Sequence, residues 1–166
     1  RRLDKEFERL DYCGVNACRN FYEVNQAGAW NKAQQTYEVT LNTFCPDADI
    51  YYAVNDSTVN TSSSLYKTPI PLDEDATVYS AVYRDGKPLG KVTRKSFAVN
   101  KATGCDYTCN PEAGWEHLNK GFGLTDGRRG YARDMRRWIS FYQDTVQIVV
   151  ELKKPQKVKE VAFSSL

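Results

Sequence analysis

The stretch Ala76-Thr77-Val78-Tyr79-Ser80-Ala81-Val82-Tyr83-Arg84-Asp85-Gly86 decides the fold class. At strand period, Val78 and Val82 fall on one face and Tyr79, Ala81 and Tyr83 on the other, so both faces are apolar or aromatic. A strand of that kind has to be covered on both sides, which makes it a central strand of a sandwich. Asp85-Gly86 then turns the chain.

Working back from this strand, Tyr37, Val39 and Leu41 alternate with Glu38, Thr40 and Asn42, the pattern of a half-buried strand beginning near Gln34. Ile50, Tyr52 and Val54 share one face of the next. Pro46-Asp47, Asn55-Asp56, Pro69 to Pro71 and Asp73 to Asp75 punctuate the run. With a further strand over 92–99 there are about five strands in about seventy residues, a density that predicts an immunoglobulin-like β-sandwich.

The flanks differ. Leu3, Phe7 and Leu10 recur at helical spacing, with Asp4, Lys5, Glu6, Glu8 and Arg9 on the other faces, and Gly14 is a natural stop. Beyond a Gly-, Cys- and Asn-rich boundary at 100–104, Val146, Ile148, Val150 and Leu152 alternate with Gln147, Val149 and Glu151. Lys153-Lys154-Pro155 turns the chain toward another strand over 158–163. The expected organisation is a helix and linker over 1–30, a sandwich over 31–103, and a second β segment over 104–166. That segment is expected to be cut within a domain, with Val146, Ile148, Val150, Val161 and Phe163 packed on the sandwich or on a second copy of the chain.

Composition removes several classes. Of 166 residues 41% are hydrophobic and 27% charged, which opposes both a disordered tail and a fibrous protein. No run approaches the roughly 18 apolar residues of a membrane span. The single His117 excludes a multi-histidine metal site, and a net charge of +2 does not by itself imply a polyanionic partner. Five cysteines, at 13, 18, 45, 105 and 109, lack the two-residue spacing of a zinc site, and small buried or locally paired thiols are the favoured account.

Three successive stretches resemble the C-terminal half of bacterial family 20 β-N-acetylhexosaminidases, the chitobiases. Arg9-Leu10-Asp11 with Gly14-Val15-Asn16 resembles the segment that leads out of the catalytic barrel. Ile50-Tyr51-Tyr52-Ala53-Val54, Ser64-Leu65-Tyr66, Pro69-Ile70-Pro71-Leu72 and Thr77-Val78 resemble the immunoglobulin-like C-terminal module. Where that module usually carries Asp-Gly-Ser and a proline, this chain has Asn55-Asp56-Ser57-Thr58-Val59. Gly121-Phe122-Gly123-Leu124-Thr125-Asp126-Gly127, Trp138 and Val149-Val150-Glu151-Leu152 resemble the start of a discoidin (factor 5/8 type C) module.

The resemblance implies a non-catalytic C-terminal accessory region, a spacer plus a carbohydrate-binding module. The parent enzyme would remove terminal N-acetylhexosamine outside the cytoplasm, in the periplasm or at the cell surface. Its partners would be the glycan substrate and its own catalytic domain, with self-association through the truncated module as a further possibility. The alternatives are an independent cell-surface carbohydrate-binding or adhesion module and, more distantly, a nucleic-acid binder.

Glycosidic chemistry in this family needs an Asp beside an acid Glu. Asp73-Glu74 is such a pair, but it follows Pro71-Leu72 and precedes Asp75-Ala76, which makes it a solvated turn rather than a catalytic dyad. No catalytic residue is therefore assigned. Trp115, Tyr131 and Trp138 are the candidates for sugar contact, with core packing the competing account for the tryptophans, Trp30 included. Arg128, Arg129, Arg133, Arg136 and Arg137 could meet an anionic glycan or nucleic acid, but Asp126, Asp134 and Asp144 sit beside them, and structural ion pairing is the simpler account. No cofactor is expected for this chain. In a complete discoidin module Asp126 could help to hold a Ca²⁺ or Na⁺ ion.

Overall fold

The structure, a computed structural model, describes residues 2–16, 20–112, 123–128, 138–142 and 144–163. Among the described residues it is mainly β, with antiparallel sheets and one short α-helix, consistent with an immunoglobulin-like sandwich. In chain order the elements are α1 (Arg2–Tyr12), a 3₁₀ turn (Asn20–Tyr22), β1 (Asn25–Asn31), β2 (Thr36–Asn42), β3 (Asp49–Val54), β4 (Ser64–Leu65) and β5 (Ile70–Leu72). They continue with β6 (Ala76–Arg84), β7 (Lys87–Pro88), β8 (Thr93–Phe97), β9 (Tyr107–Asn110) and β10 (Gln147–Val150). One sheet has the order β1-β2-β5, a second β4-β3-β6-β7 with β8 also on β6, and a third is the ribbon β10-β9.

The strand that decides the fold class behaves as its residues require. β6 runs antiparallel to β3, with Ile50 opposite Val82, Tyr52 opposite Ser80 and Val54 opposite Val78. Val78, Ser80 and Val82 are fully buried on that face. On the opposite face Ala81 and Tyr83 form a cluster with Val59, and Tyr51, Ala53 and Tyr79 pack against it. The Tyr83 hydroxyl donates to the Val59 carbonyl at 2.9 Å, and the rings of Tyr51 and Tyr83 meet edge to face at 5.2 Å. The loop after β3 thus covers the outer side of β6, which is why both faces of that strand are apolar. Asp85 and Gly86, with φ of 51° and 74°, close the hairpin to β7 as a tight turn of left-handed residues. In β2, Tyr37, Val39 and Leu41 are the buried positions, as the alternation predicts.

The chain divides into two compact units. One comprises Arg1–Asn25, Leu41–Lys67 and Val78–Lys95; the other comprises Gln26–Thr40, Thr68–Thr77 and Ser96–Leu166. The first holds α1, β3, β4, β7 and most of β6. The second holds β5, β9, β10 and most of β1 and β2.

Three local features depart from or add to the expected elements. A strand, β1, lies in the stretch read as linker. Its Asn-Gln-Ala-Gly-Ala-Trp-Asn sequence lacks β-branched residues, and pairing with β2 supplies what propensity does not. The connecting turn is held by the Asn31 side-chain oxygen, which accepts from the backbone N–H of Ala33 and Gln34. β9 lies just past the expected boundary and pairs residue for residue with β10, from Tyr107 opposite Val150 to Asn110 opposite Gln147. Third, residues 158–163 form no strand. After Leu152 the chain turns at Lys153, whose φ is 52°, and Pro155 brings no N–H donor.

The five apolar residues expected at one contact are accordingly split. Val146, Ile148 and Val150 are half-buried, whereas Val161 and Phe163 are 85% and 69% exposed. Within the second unit, the segment after 100 meets β1 and β2 through other residues. Tyr37 donates its hydroxyl to the Gly127 carbonyl at 3.4 Å, Arg128 Nε donates to the Gly28 carbonyl at 3.3 Å, and Lys153 donates to the Gln35 side-chain oxygen.

Candidate functional site

The side chains with the densest polar geometry meet in the first unit, around Arg84. The 85–86 turn fixes the end of β6, and Arg84 stands at that end, opposite Lys87. Its Nη1 donates to Asp4 of α1 at 2.7 Å, while Nη2 donates to the Pro46 carbonyl at 2.9 Å and meets Cys45 Sγ at 2.9 Å. The other Asp4 oxygen accepts the Tyr22 hydroxyl at 2.5 Å. Burial, the hydrogen bond to the Asp4 carboxylate and the charge of that carboxylate together push the Tyr22 hydroxyl up to about 12. Burial also pushes the Cys45 thiol up, and the Arg84 charge offsets part of the rise.

Beside this network runs a groove of about 340 Å³. Asp4, Phe7, Glu8 and Asp11 of α1 form one wall, Tyr22 contributes to the lining, and Arg84, Asp85, Lys87, Pro88 and Leu89 of the hairpin form the other wall. Phe7 leans on Tyr22 with ring centroids 5.4 Å apart. The arrangement binds a helix to a sheet. It has the character of a structural junction, with its one arginine already holding a carboxylate, a thiol and a carbonyl.

The residues singled out from sequence fall elsewhere. Asp73 and Glu74 are exposed in the bend between β5 and β6, the solvated turn expected for them. The neighbouring Asp75 has a structural task, since its side-chain oxygen accepts the Val99 N–H at 2.8 Å. Trp115 and Tyr131 lie outside the described residues, as do His117, Arg129, Arg133, Asp134, Arg136 and Arg137. Trp138 is half-buried. Trp30 lies within β1, its ring against Gly104, with Lys153 Nζ 5.7 Å above the ring centre. Cys45 and Cys105 are buried and Cys13 is exposed.

Asp126 is buried, and its Oδ1 accepts the Arg128 N–H at 2.8 Å. The adjacent Thr125 spends its hydroxyl on the Cys105 carbonyl and its carbonyl on the Gly104 N–H, both at 2.7 Å. Among the described residues no group of three or more His, Cys, Asp or Glu side chains is placed to hold a metal ion.

The Asp4–Arg84 junction is not legible in the sequence, where Asp4 is one of several polar residues of a helix face and nothing local singles out Arg84. The signal that could have found it is an arginine directly before an Asp-Gly hairpin turn, at the rim of a strand buried on both faces.

Residues 25–94 match the family model of the chitobiase/beta-hexosaminidase C-terminal domain. The match begins at the first residue of β1 and ends inside β8, so it takes in β1 to β7 and somewhat less than half of the 166 residues. Over this stretch the resemblance carried by Ile50 to Val54, Ser64 to Tyr66, Pro69 to Leu72 and Thr77-Val78 is borne out. The discoidin resemblance lies beyond the match and rests on its own motifs. No curated protein matches the chain. No helix among the described residues is long and apolar enough to cross a membrane.

Proposed function

We propose that the chain is a non-catalytic accessory region of a β-N-acetylhexosaminidase, an enzyme that releases terminal N-acetylhexosamine outside the cytoplasm. The observation that carries this is the match over 25–94 to the chitobiase/beta-hexosaminidase C-terminal domain, coincident with the strands of the sandwich. Two features support a non-catalytic role. Asp73-Glu74, the acid pair with the right residue types, sits on an exposed bend, and the groove beside Arg84 is built around an ion pair that fastens α1. In this reading α1 is the element through which the module meets the catalytic barrel, and the parent's own catalytic domain is its principal partner. Contact with a glycan through Trp115, Tyr131 and Trp138 belongs to the same proposal.

The test has two arms. The chain alone should not hydrolyse 4-nitrophenyl N-acetyl-β-D-glucosaminide. Joined to a family 20 barrel deprived of its own C-terminal module, it should raise the barrel's thermal midpoint and activity. Turnover by the isolated chain that disappears in Asp73→Asn or Glu74→Gln overturns the reading, as does a barrel indifferent to the attached module.

A further inference from the structure

An antiparallel sheet that closes one side of a sandwich commonly turns polar residues to solvent on its outer face. The sheet β4-β3-β6 departs from this. Leu65 of β4 stands opposite Tyr51 of β3, and Ala53 stands opposite Tyr79 of β6, so these four side chains share the outer face on which Val59 and Tyr83 are buried. Leu65 is 38% exposed, and Tyr51, Ala53 and Tyr79 are half-buried. The core does not require them, because Val78, Ser80 and Val82 already fill it from the other face. Tyr51 and Tyr79 are diagonal neighbours on adjacent strands, a relation that sets side chains about 7–8 Å apart, close enough for both rings to meet one ligand.

We propose that this face binds a glycan chain, with pyranose rings lying against Tyr51 and Tyr79 and their polar substituents meeting the loop over 55–63. A pyranose offers an apolar face of C–H groups to an aromatic ring and a rim of hydroxyls to polar neighbours. The loop supplies such neighbours. All of its residues except Asp56 and Val59 carry a hydroxyl or a carboxamide, and its one charge, on Asp56, accepts the Thr58 N–H at 2.8 Å. It is also fixed in advance: the Asn60 side-chain oxygen accepts the Ser62 N–H at 2.8 Å, the Ser63 hydroxyl accepts the Asn60 N–H at 3.0 Å, and Tyr83 holds the Val59 carbonyl. Preorganised groups of this kind lose little freedom on binding. Four partly covered side chains fall far short of the roughly 800 Å² a side of a stable protein interface, whereas they suffice for a few sugar rings. On the far side of β6, β8 brings exposed Arg94 and Lys95, so the uncharged ground lies toward the loop. The choice of N-acetylhexosamine as the sugar rests on the accessory-region reading above; the face itself does not.

Titration of the full chain with N-acetylchitohexaose and with cellohexaose, read by amide chemical shifts and by calorimetry, tests this. Shifts should concentrate in β3, β4, β6 and the 55–63 loop, with β9 and β10 unmoved. Tyr79→Ala and Tyr51→Ala should each weaken binding about tenfold or more, the loss of one ring's apolar contact. Tyr51 also supports Tyr83, so Leu65→Lys on the exposed strand β4 provides a variant that spares that ring pair and should still weaken binding severalfold. Phe44→Ala, which removes a 79% exposed aromatic from the β2–β3 loop, should bind like the parent chain. No shift with either sugar, shifts centred on other strands, or a loss in Phe44→Ala equal to that in Tyr79→Ala would each overturn the site. Equal affinity for the two sugars would overturn N-acetylhexosamine as its ligand. The accessory role is read separately, from the attached barrel: a barrel stabilised by a chain that binds no sugar sinks this site alone, and sugar binding beside an indifferent barrel sinks the accessory role alone.

Discussion

Gly104 lies so close to the indole of Trp30 that a Cβ added there would fall 2.1 Å from Trp30 Cε2, and its φ of 73° is in the left-handed region. The segment after the sandwich strands is thereby seated on β1 by the absence of a side chain. Gly104→Ala must both strain the backbone and push the ring away. The two costs together are expected to destabilise the chain by about 2–4 kcal/mol in a denaturant titration. Gly86→Ala is the control. It has a similar φ of 74° but nothing within 4 Å, so about 1 kcal/mol is expected. Equal losses in the two variants would show that the Trp30 contact is not what makes Gly104 necessary.

The hydroxyl of Tyr83 ties the loop after β3 to the outer face of β6 through the Val59 carbonyl, and this bond is buried. Tyr83→Phe keeps the edge-to-face contact with Tyr51 and removes only the bond, leaving a buried carbonyl without its donor. A loss of about 1–2 kcal/mol is expected from the denaturation midpoint, with native circular dichroism. A loss below about 0.3 kcal/mol would mean that the loop is held by the apolar contacts of Val59 alone.

The parts of this structure that sequence could show are those in which a residue's own chemistry repeats at the period of its element. Tyr37, Val39 and Leu41 announce β2, and the two-sided apolar pattern from Val78 to Tyr83 announces a covered central strand. Leu3, Phe7 and Leu10 announce α1. What escaped depends on a partner elsewhere in the chain. Asn25 to Asn31 becomes a strand only because β2 lies beside it, and Gly28 is tolerated there because the Tyr37 and Phe97 rings fill the space of its missing Cβ. Conversely, Val158, Val161 and Phe163 carry the residue types of a strand, yet find no ladder and stay exposed. The Asp4–Arg84 pair spans most of the first unit's sequence, so no local window contains both halves.

Tyr22 gives the fold a dependence on alkaline pH. Its hydroxyl titrates at about 12, against about 10 for a tyrosine in an unfolded chain. A group that holds its proton more tightly when folded contributes stability below the unfolded value, and that contribution is lost as pH rises from about 10 through about 12. Absorbance titration of tyrosinate should show a class near 12 that is diminished in Tyr22→Phe. Asp4→Asn should move that class downward, since it removes the adjacent charge. A titration unchanged in Tyr22→Phe would mean that other tyrosines account for the high-pH class.

The last prediction separates the two roles that acidic residues have in the turn between β5 and β6. Asp73 and Glu74 are exposed, so Asp73→Asn and Glu74→Gln should each change stability by less than about 0.5 kcal/mol. Asp75 differs although it is one residue away, because its carboxylate accepts the Val99 N–H and so fixes the chain just beyond β8. Asp75→Ala should cost about 1–2 kcal/mol, the usual loss when a charge-assisted bond to a backbone donor is removed, with Asp75→Asn intermediate because its amide oxygen can still accept. Thermal denaturation of the four variants ranks them. If the three acidic positions prove equivalent, the turn is uniformly solvated and Asp75 does not hold Val99; if Glu74→Gln is the most damaging, Glu74 has a partner that its exposure does not explain.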